Sequence, residues 1–179
     1  MTTTRSQVDI QFDTVLQLDY ARSEVGLRLP DGSTERVMME TACPTEFIMH
    51  DLVESGEGMR MDLEIIRFEL VGTSKELWPG ERITVLGGAL SAPDARPIVG
   101  AVDIPAGRTL EEGLRSEQVL YLTIQTPLGT LHNETPIRMV GDIYRVPPIG
   151  SRFESQGDVP LVDAEGVERL QVWACANEA

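Results

Sequence analysis

Lysine is nearly missing from this chain: of fifteen basic residues only Lys75 is lysine, and the rest are arginine. Lys75 sits in the polar stretch Gly72-Thr73-Ser74-Lys75-Glu76, so it reads as a solvated turn residue and not as a Schiff-base amine. Histidine occurs only at His50 and His132, and cysteine only at Cys43 and Cys175. Those four positions share no metal-ligand spacing, so no metal is expected and the two thiols read as free. No G-x-S-x-G elbow occurs, which excludes an α/β-hydrolase. Gly87-Gly88 and Gly100 make neither a dinucleotide fingerprint nor a phosphate-binding loop, so no cofactor is expected. No apolar run reaches 18 residues, which excludes a membrane-spanning helix. The N-terminus Met1-Thr2-Thr3-Thr4-Arg5-Ser6-Gln7 lacks the apolar segment of a secretory signal, so a cytoplasmic protein is expected.

Positive charge is short as well. Against fifteen basic residues stand 29 acidic ones, a net charge of −14. Such a chain repels phosphate backbones and anionic lipid, so neither nucleic acid nor membrane is an expected partner.

What is present is hydrocarbon in a period of two. Leu, Ile, Val and Phe make up 49 of 179 residues, enough for one core. Val8, Ile10, Phe12, Leu16, Leu18 and Tyr20 alternate with polar residues, and Val25, Leu27 and Leu29 continue the pattern. Alternation places one set on one face of a strand. Pro30-Asp31-Gly32-Ser33 predicts a hairpin turn into a strand over 35–42. In 59–70 the apolar phase is odd up to Ile65 and even from Ile66. Only a β-bulge at Ile65-Ile66 keeps both halves on one face.

Turn signals at Ser55–Gly58, Trp78–Glu81, Pro127–Gly129, Pro147–Gly150, Gln156–Asp158 and Ala164–Gly166 divide the remainder into strands. Those expected are 46–53, 82–86, 118–126, 136–146, 151–155, 159–163 and 167–174, with an edge strand over 97–104. Thr109-Leu110-Glu111-Glu112 fits a capping box, so one short helix is expected near 110–115. The fold class is therefore all-β: a single-domain antiparallel β-barrel or β-sandwich of about ten strands, with at most one short helix. Residues 1–6 are expected to be a flexible tail and 7–179 a single β domain.

Chemistry is sparse. His132 and Glu134 share a strand face, and the same alternation adds Arg138 and Tyr144. His132 can move a proton near neutral pH, so His132, Arg138 and Tyr144 are the candidate catalytic set. Seven methionines are many for this length. Met61 and Met139 are the candidate ligand-lining residues, because a thioether adapts to an irregular greasy partner. Trp78 and Trp173 either shape a pocket mouth or fill the core.

The stretch Leu131-His132-Asn133-Glu134-Thr135-Pro136-Ile137-Arg138-Met139, followed by Pro147-Pro148-Ile149-Gly150 and Val159-Pro160-Leu161, resembles an uncharacterised family of bacterial β-rich domains. Arg96-Pro97-Ile98-Val99-Gly100 extends the resemblance to roughly residues 96–163. It implies a β-rich fold and carries over no functional residue.

Small antiparallel barrels that guide polyketide cyclisations are similar in size, strand content and lack of cofactor motifs. The expected function is thus a cofactor-independent protein for an apolar small molecule, an isomerase or cyclase of a bacterial secondary-metabolite pathway. The alternative is a non-catalytic ligand carrier or a protein-interaction sandwich. A homodimer is a possible assembly.

Overall fold

The computed structural model describes residues 12–20 and 22–179. Among the described residues, fifteen antiparallel strand segments form one sheet, and registers that continue from one segment to the next join them into eight lines. The first line is β1 (Val15–Leu18) and β2 (Arg22–Arg28). The second is β3 (Thr34–Thr41), β4 (Thr45–Met49) and β5 (Val53–Ser55), and the third is the long β6 (Gly58–Thr73). The fourth is β7 (Arg82–Gly87) and β8 (Ile98–Ile104); the fifth is β9 (Leu114–Leu120) and β10 (Leu122–Thr126). The sixth is β11 (Gly129–His132) and β12 (Ile137–Ile143), the seventh β13 (Arg152–Gln156) and β14 (Val159–Val162). The eighth is β15 (Glu168–Glu178).

Each line pairs with the next in sequence. Leu120↔Ile137 and Thr123↔His132, for example, join the fifth and sixth lines along nearly one register. The eighth then pairs with the first, through Cys175↔Val25 and Asn177↔Ser23. The result is a closed up-and-down barrel. Of the two architectures the alternation allowed, the barrel is the one that forms, and closure removes sheet edges.

Closure also changes two expectations. Residues 98–104 are not an edge strand, because β8 pairs with β6 on one side and β9 on the other. The segments outnumber the expected ten because long lines are interrupted, as at Tyr121 and at 133–136, and because β11 lies in what reads as a turn region. The expected strand over 8–20 survives as β1; Val8–Gln11 lie outside the described residues, and Phe12–Thr14 turn, with Asp13 at φ +51°. The capping box holds a single 3-10 turn, Leu110–Glu112, in which Thr109 N–H donates to Glu112 Oε2 at 2.9 Å. Among the described residues no helix is long and apolar enough to cross a membrane.

The phase break is a bulge. Phe47 pairs with Ile65 and Glu46 with Arg67, so Ile66 has no opposite residue on β4. Its carbonyl accepts Leu90 N–H at 2.8 Å. Gly88, at φ +79°, lies so close that a Cβ would stand 2.5 Å from the Ile66 carbonyl. Glycine is required there both for its dihedral and for its missing side chain. Flanking the bulge, Met61, Leu63 and Ile65 point into the barrel, as do Phe68 and Leu70.

A second bulge in β15 falls between Val172 and Ala174 and turns Trp173 outward. Its ring covers Gly26 on the outer wall, with the Arg36 guanidinium 4.5 Å above it and Nε1 donating to the Leu27 carbonyl. Trp173 therefore fills neither the core nor a pocket mouth.

The two barrel ends differ. At the lower end, hairpins at 29–33 and 163–167 and the loop 74–81 close over Leu27, Ile83, Ile124, Leu131, Leu161 and Leu170, all essentially inaccessible. The buried Glu35 carboxylate pins that loop. It accepts Ser74 Oγ–H at 2.6 Å and the N–H groups of Lys75, Glu76 and Leu77 at 2.6, 3.2 and 3.0 Å. Leu77 and Trp78, on the same loop, pack against the core. At the upper end lie the start of β1, the hairpin 55–58, the segments 105–113 and 144–151, and the end of β15.

Candidate functional site

Alternation sends every second residue of the upper half into the lumen. There Leu18, Phe47, Met49, Leu63, Ile65, Val102, Ile143 and Phe153 line a pocket of about 30 Å³, with Val146 and Pro148 of the strap 144–151 at its mouth. Among the described residues β1 pairs with β4 alone, and β15 continues the ring alongside β2. The strap is tied to the end of β15 by Gly150 N–H to Ala179 O at 2.6 Å and Ala179 N–H to Ser151 O at 3.0 Å. Tyr20 also lines the pocket and leans on a buried core ring outside the lining. Tyr20 meets Phe68 edge-on at 6.0 Å between centroids.

Into this hydrocarbon wall project Tyr20, Thr45, Ser116 and Gln118. Thr45 and Ser116 are each 1% exposed; among the described residues the Ser116 hydroxyl has no hydrogen-bond partner, and the Thr45 hydroxyl faces only the Tyr20 hydroxyl, short of good hydrogen-bond geometry. Further round the same half, Ser23 Oγ, Ser151 Oγ and Asn177 Oδ1 are buried in the same condition. Ser23 and Asn177 are cross-strand partners. Buried polar groups are ordinarily satisfied, so each of these atoms calls for a partner that the described residues do not supply in good geometry.

Tyr20 and Cys175 both stay neutral. Burial first, and then the charged form of Cys175, push the Tyr20 hydroxyl far above its ordinary value, against a smaller downward pull from the neighbouring Thr45 hydroxyl. Burial and then the nearby Glu24 push the Cys175 thiol up to about 12. Both cysteines are free thiols. Cys43 lies on the β3–β4 connection, where burial and then Glu69 raise its pKa, so neither is a ready thiolate.

The residues singled out in the sequence distribute differently. His132, Arg138 and Tyr144 do share a face, as alternation required, but it is the outer face. His132 borders an open groove with Arg96, Tyr121 and Glu134, in which the Arg96 guanidinium stacks 4.9 Å from the Tyr121 ring. Arg138 is exposed and ion-paired with Glu117 across β9 and β12. Tyr144 is 52% exposed at the upper rim, its ring against Gly113. The structure does not bring the three together around one space.

Asn133 is buried, with Oδ1 accepting Leu122 N–H at 2.7 Å and Nδ2 donating to the carbonyls of Leu120 and Thr135 at 2.9 Å each. It bridges the break between β11 and β12. His50 meets Asp13 at 3.1 Å on the exterior. Met61 and Met139 are inside and fully buried, as cross-strand partners of the pocket residues Val102 and Gln118. They stand beside the lining.

The sequence counts Tyr20 in the apolar phase but marks neither it nor Thr45, Ser116 and Gln118 as site residues. The signal was present: Ser116 and Gln118 fall in the same phase as Leu114, Leu120 and Leu122, and Thr45 in that of Phe47 and Met49. A polar residue in the apolar phase is the mark of a polar group facing the lumen.

No protein-family model matches the sequence, and no curated protein matches it. Among solved structures the fold is similar to that of DynF from the dynemicin biosynthesis pathway of Micromonospora chersina, with a TM-score of 0.69. The alignment covers 99% of this chain and 90% of that one at 18% identity, a likeness of fold.

Proposed function

We propose that this protein binds an apolar small molecule in the upper half of its barrel, without a cofactor, in a bacterial secondary-metabolite pathway of polyketide type. The observation that carries the proposal is the lumen wall, in which unpartnered hydroxyls interrupt hydrocarbon beneath a strap at the barrel mouth. A wall built only for stability would be hydrocarbon throughout, since an orphaned buried polar group costs about 1–3 kcal/mol. The pathway assignment draws its support from the fold likeness to a protein of dynemicin biosynthesis. The cytoplasm is the proposed location.

At about 30 Å³ the pocket admits little more than water as it stands. A ligand enters by parting the lining, and Met49, with Met61 and Met139 behind it, supplies side chains that repack easily.

A carrier role is the better supported outcome of binding. The groups that line the pocket are neutral, and the histidines, the usual proton shuttles near neutral pH, stand on the exterior. An isomerase or cyclase in this lumen would work by holding one folded conformer of its substrate.

Nile red, a neutral dye that brightens in apolar surroundings, tests the site. Val102→Phe narrows the lumen and should weaken dye binding at least about tenfold, whereas Val99→Phe, on the outer face of the same strand, leaves it unchanged. His132→Ala should hold affinity within a factor of about two, since the site lies across the barrel wall. Equal effects of the two Val substitutions would contradict a lumen site. Solvent extraction of the protein purified from its natural host, followed by mass spectrometry, then identifies its occupant. Recovery of that compound in the same isomeric form after incubation with fresh protein supports a carrier; its conversion to a cyclised or rearranged product of equal mass supports a cyclase.

A further inference from the structure

The unpartnered atoms of the lumen also define what the ligand must look like. From them we infer that it carries one neutral hydrogen-bonding oxygen, a ketone or hydroxyl, on an apolar body, and that Thr45 and Ser116 pair with that oxygen. The inference rests on the lumen being the binding site, and it adds the class of ligand.

Thr45 on β4 and Ser116 on β9 both line the pocket and both are 1% exposed; the Ser116 hydroxyl is orphaned, and the Thr45 hydroxyl has only the Tyr20 hydroxyl beside it, out of good hydrogen-bond geometry. β4 and β9 belong to the second and fifth lines, so the two hydroxyls enter from different sectors of the wall. Gln118 follows Ser116 on the same inward face and adds an amide to the lining. A hydroxyl both donates and accepts, so this set serves either a carbonyl or an alcohol.

The charge of the head group follows from what the lining lacks. Among the described residues none that lines the pocket is Arg, Lys, His, Asp or Glu. A carboxylate or ammonium placed there would be buried without a counter-charge, which is far more costly than burying a neutral oxygen. The barrel's net charge of −14 further disfavours an anion. A plain hydrocarbon fits the wall but leaves both hydroxyls unpaired.

The arrangement also explains why the hydroxyls persist. Replacing an orphaned buried hydroxyl by an isosteric methyl is neutral or stabilising for the empty barrel. Thr45 and Ser116 therefore trade stability for recognition, a trade common at binding sites.

Three probes of equal carbon number, octane, hexyl methyl ketone and octanoate, are compared by displacement of Nile red from the full chain and from the Thr45→Val/Ser116→Ala double variant. The ratio of ketone to octane affinity should fall roughly tenfold in the variant, because two hydrogen bonds to the oxygen are lost while hydrocarbon contacts remain. Octanoate should be the weaker of the two oxygenated probes in the parent. The variant should melt at or above the parent temperature, an effect that hydroxyls with a purely structural role would not produce. An unchanged ratio, or octanoate displacing the dye better than the ketone, overturns the inference while a lumen site stands. Failure of all three to displace Nile red, with Val102→Phe also without effect, overturns both.

Discussion

Deleting Ile66 abolishes the soluble fold. Ile66 is the extra residue that lets β6 keep Met61, Leu63 and Ile65 inside on one flank and Phe68 and Leu70 on the other. Without it one flank must turn over, because a shift of one residue exchanges the two faces of a strand. Each large side chain so expelled forfeits roughly 1.5–3 kcal/mol. Two or three of them consume most of a domain's net stability of about 5–15 kcal/mol. The deletion also removes the carbonyl that holds Leu90 N–H and leaves Gly88 packed against nothing. Ile66→Ala is the control: it keeps the register, shortens a half-buried side chain and costs about 1 kcal/mol. Expression and far-ultraviolet circular dichroism separate the two. A deletion variant that melts like the parent would show that no bulge is needed.

Glu35→Ala opens the lower end of the barrel. The carboxylate takes four donors from the loop 74–77, and removing it strands all of them near the core. Water reaches some, so the loss is about 3 kcal/mol rather than the full sum, a fall of roughly 6–12 °C in Tm for a domain of this size. The same carboxylate sets part of the acid response. Burial raises its pKa, but the Lys75 N–H, the Ser74 hydroxyl and the Leu77 and Glu76 N–H groups together outweigh burial and hold it below the ordinary 4.5. A carboxyl depressed in the folded state contributes stability that is fully present above 4.5 and is lost as pH falls through the folded value. Asp31 and Asp163 shift the same way, held first by the N–H groups of Ser33 and Val167. The variant should therefore keep part of the acid slope and show a shallower one than the parent. Parallel Tm-against-pH curves would remove Glu35 from its clamping role.

The fold was largely legible in the residues because alternation and turn chemistry are local. Pro30–Ser33 closes its hairpin, with Gly32 at φ +90°, and the phase slip at Ile65-Ile66 is a bulge. What alternation does not report is closure. The residues 98–104 read as an edge because nothing in their own sequence says that β6 and β9 flank them; pairing partners are distant in the chain. The same limit governs the site. Alternation correctly places His132, Arg138 and Tyr144 on one face, and Leu131, Ile137 and Met139 on the other. Which face surrounds a lumen depends on the sign of curvature of the closed sheet, and here the apolar face is the concave one. Titratable groups drew notice for their chemistry, while Thr45 and Ser116 passed as ordinary strand residues. Their burial, and the missing partner of the Ser116 hydroxyl, show only in the packed barrel.

The methionines offer the most direct reading of where a ligand sits. Met49 lines the pocket, Met61 and Met139 stand beside it, and Met38 faces outward on β3 with 46% of its surface exposed. With methyl-labelled methionine, each gives a separate nuclear magnetic resonance signal. On titration with hexyl methyl ketone, the Met49 methyl should move first and furthest, Met61 and Met139 should follow, and Met38 should stay in place. Movement of Met38 with Met49, Met61 and Met139 unperturbed would place the ligand on the outer wall and contradict a binding lumen.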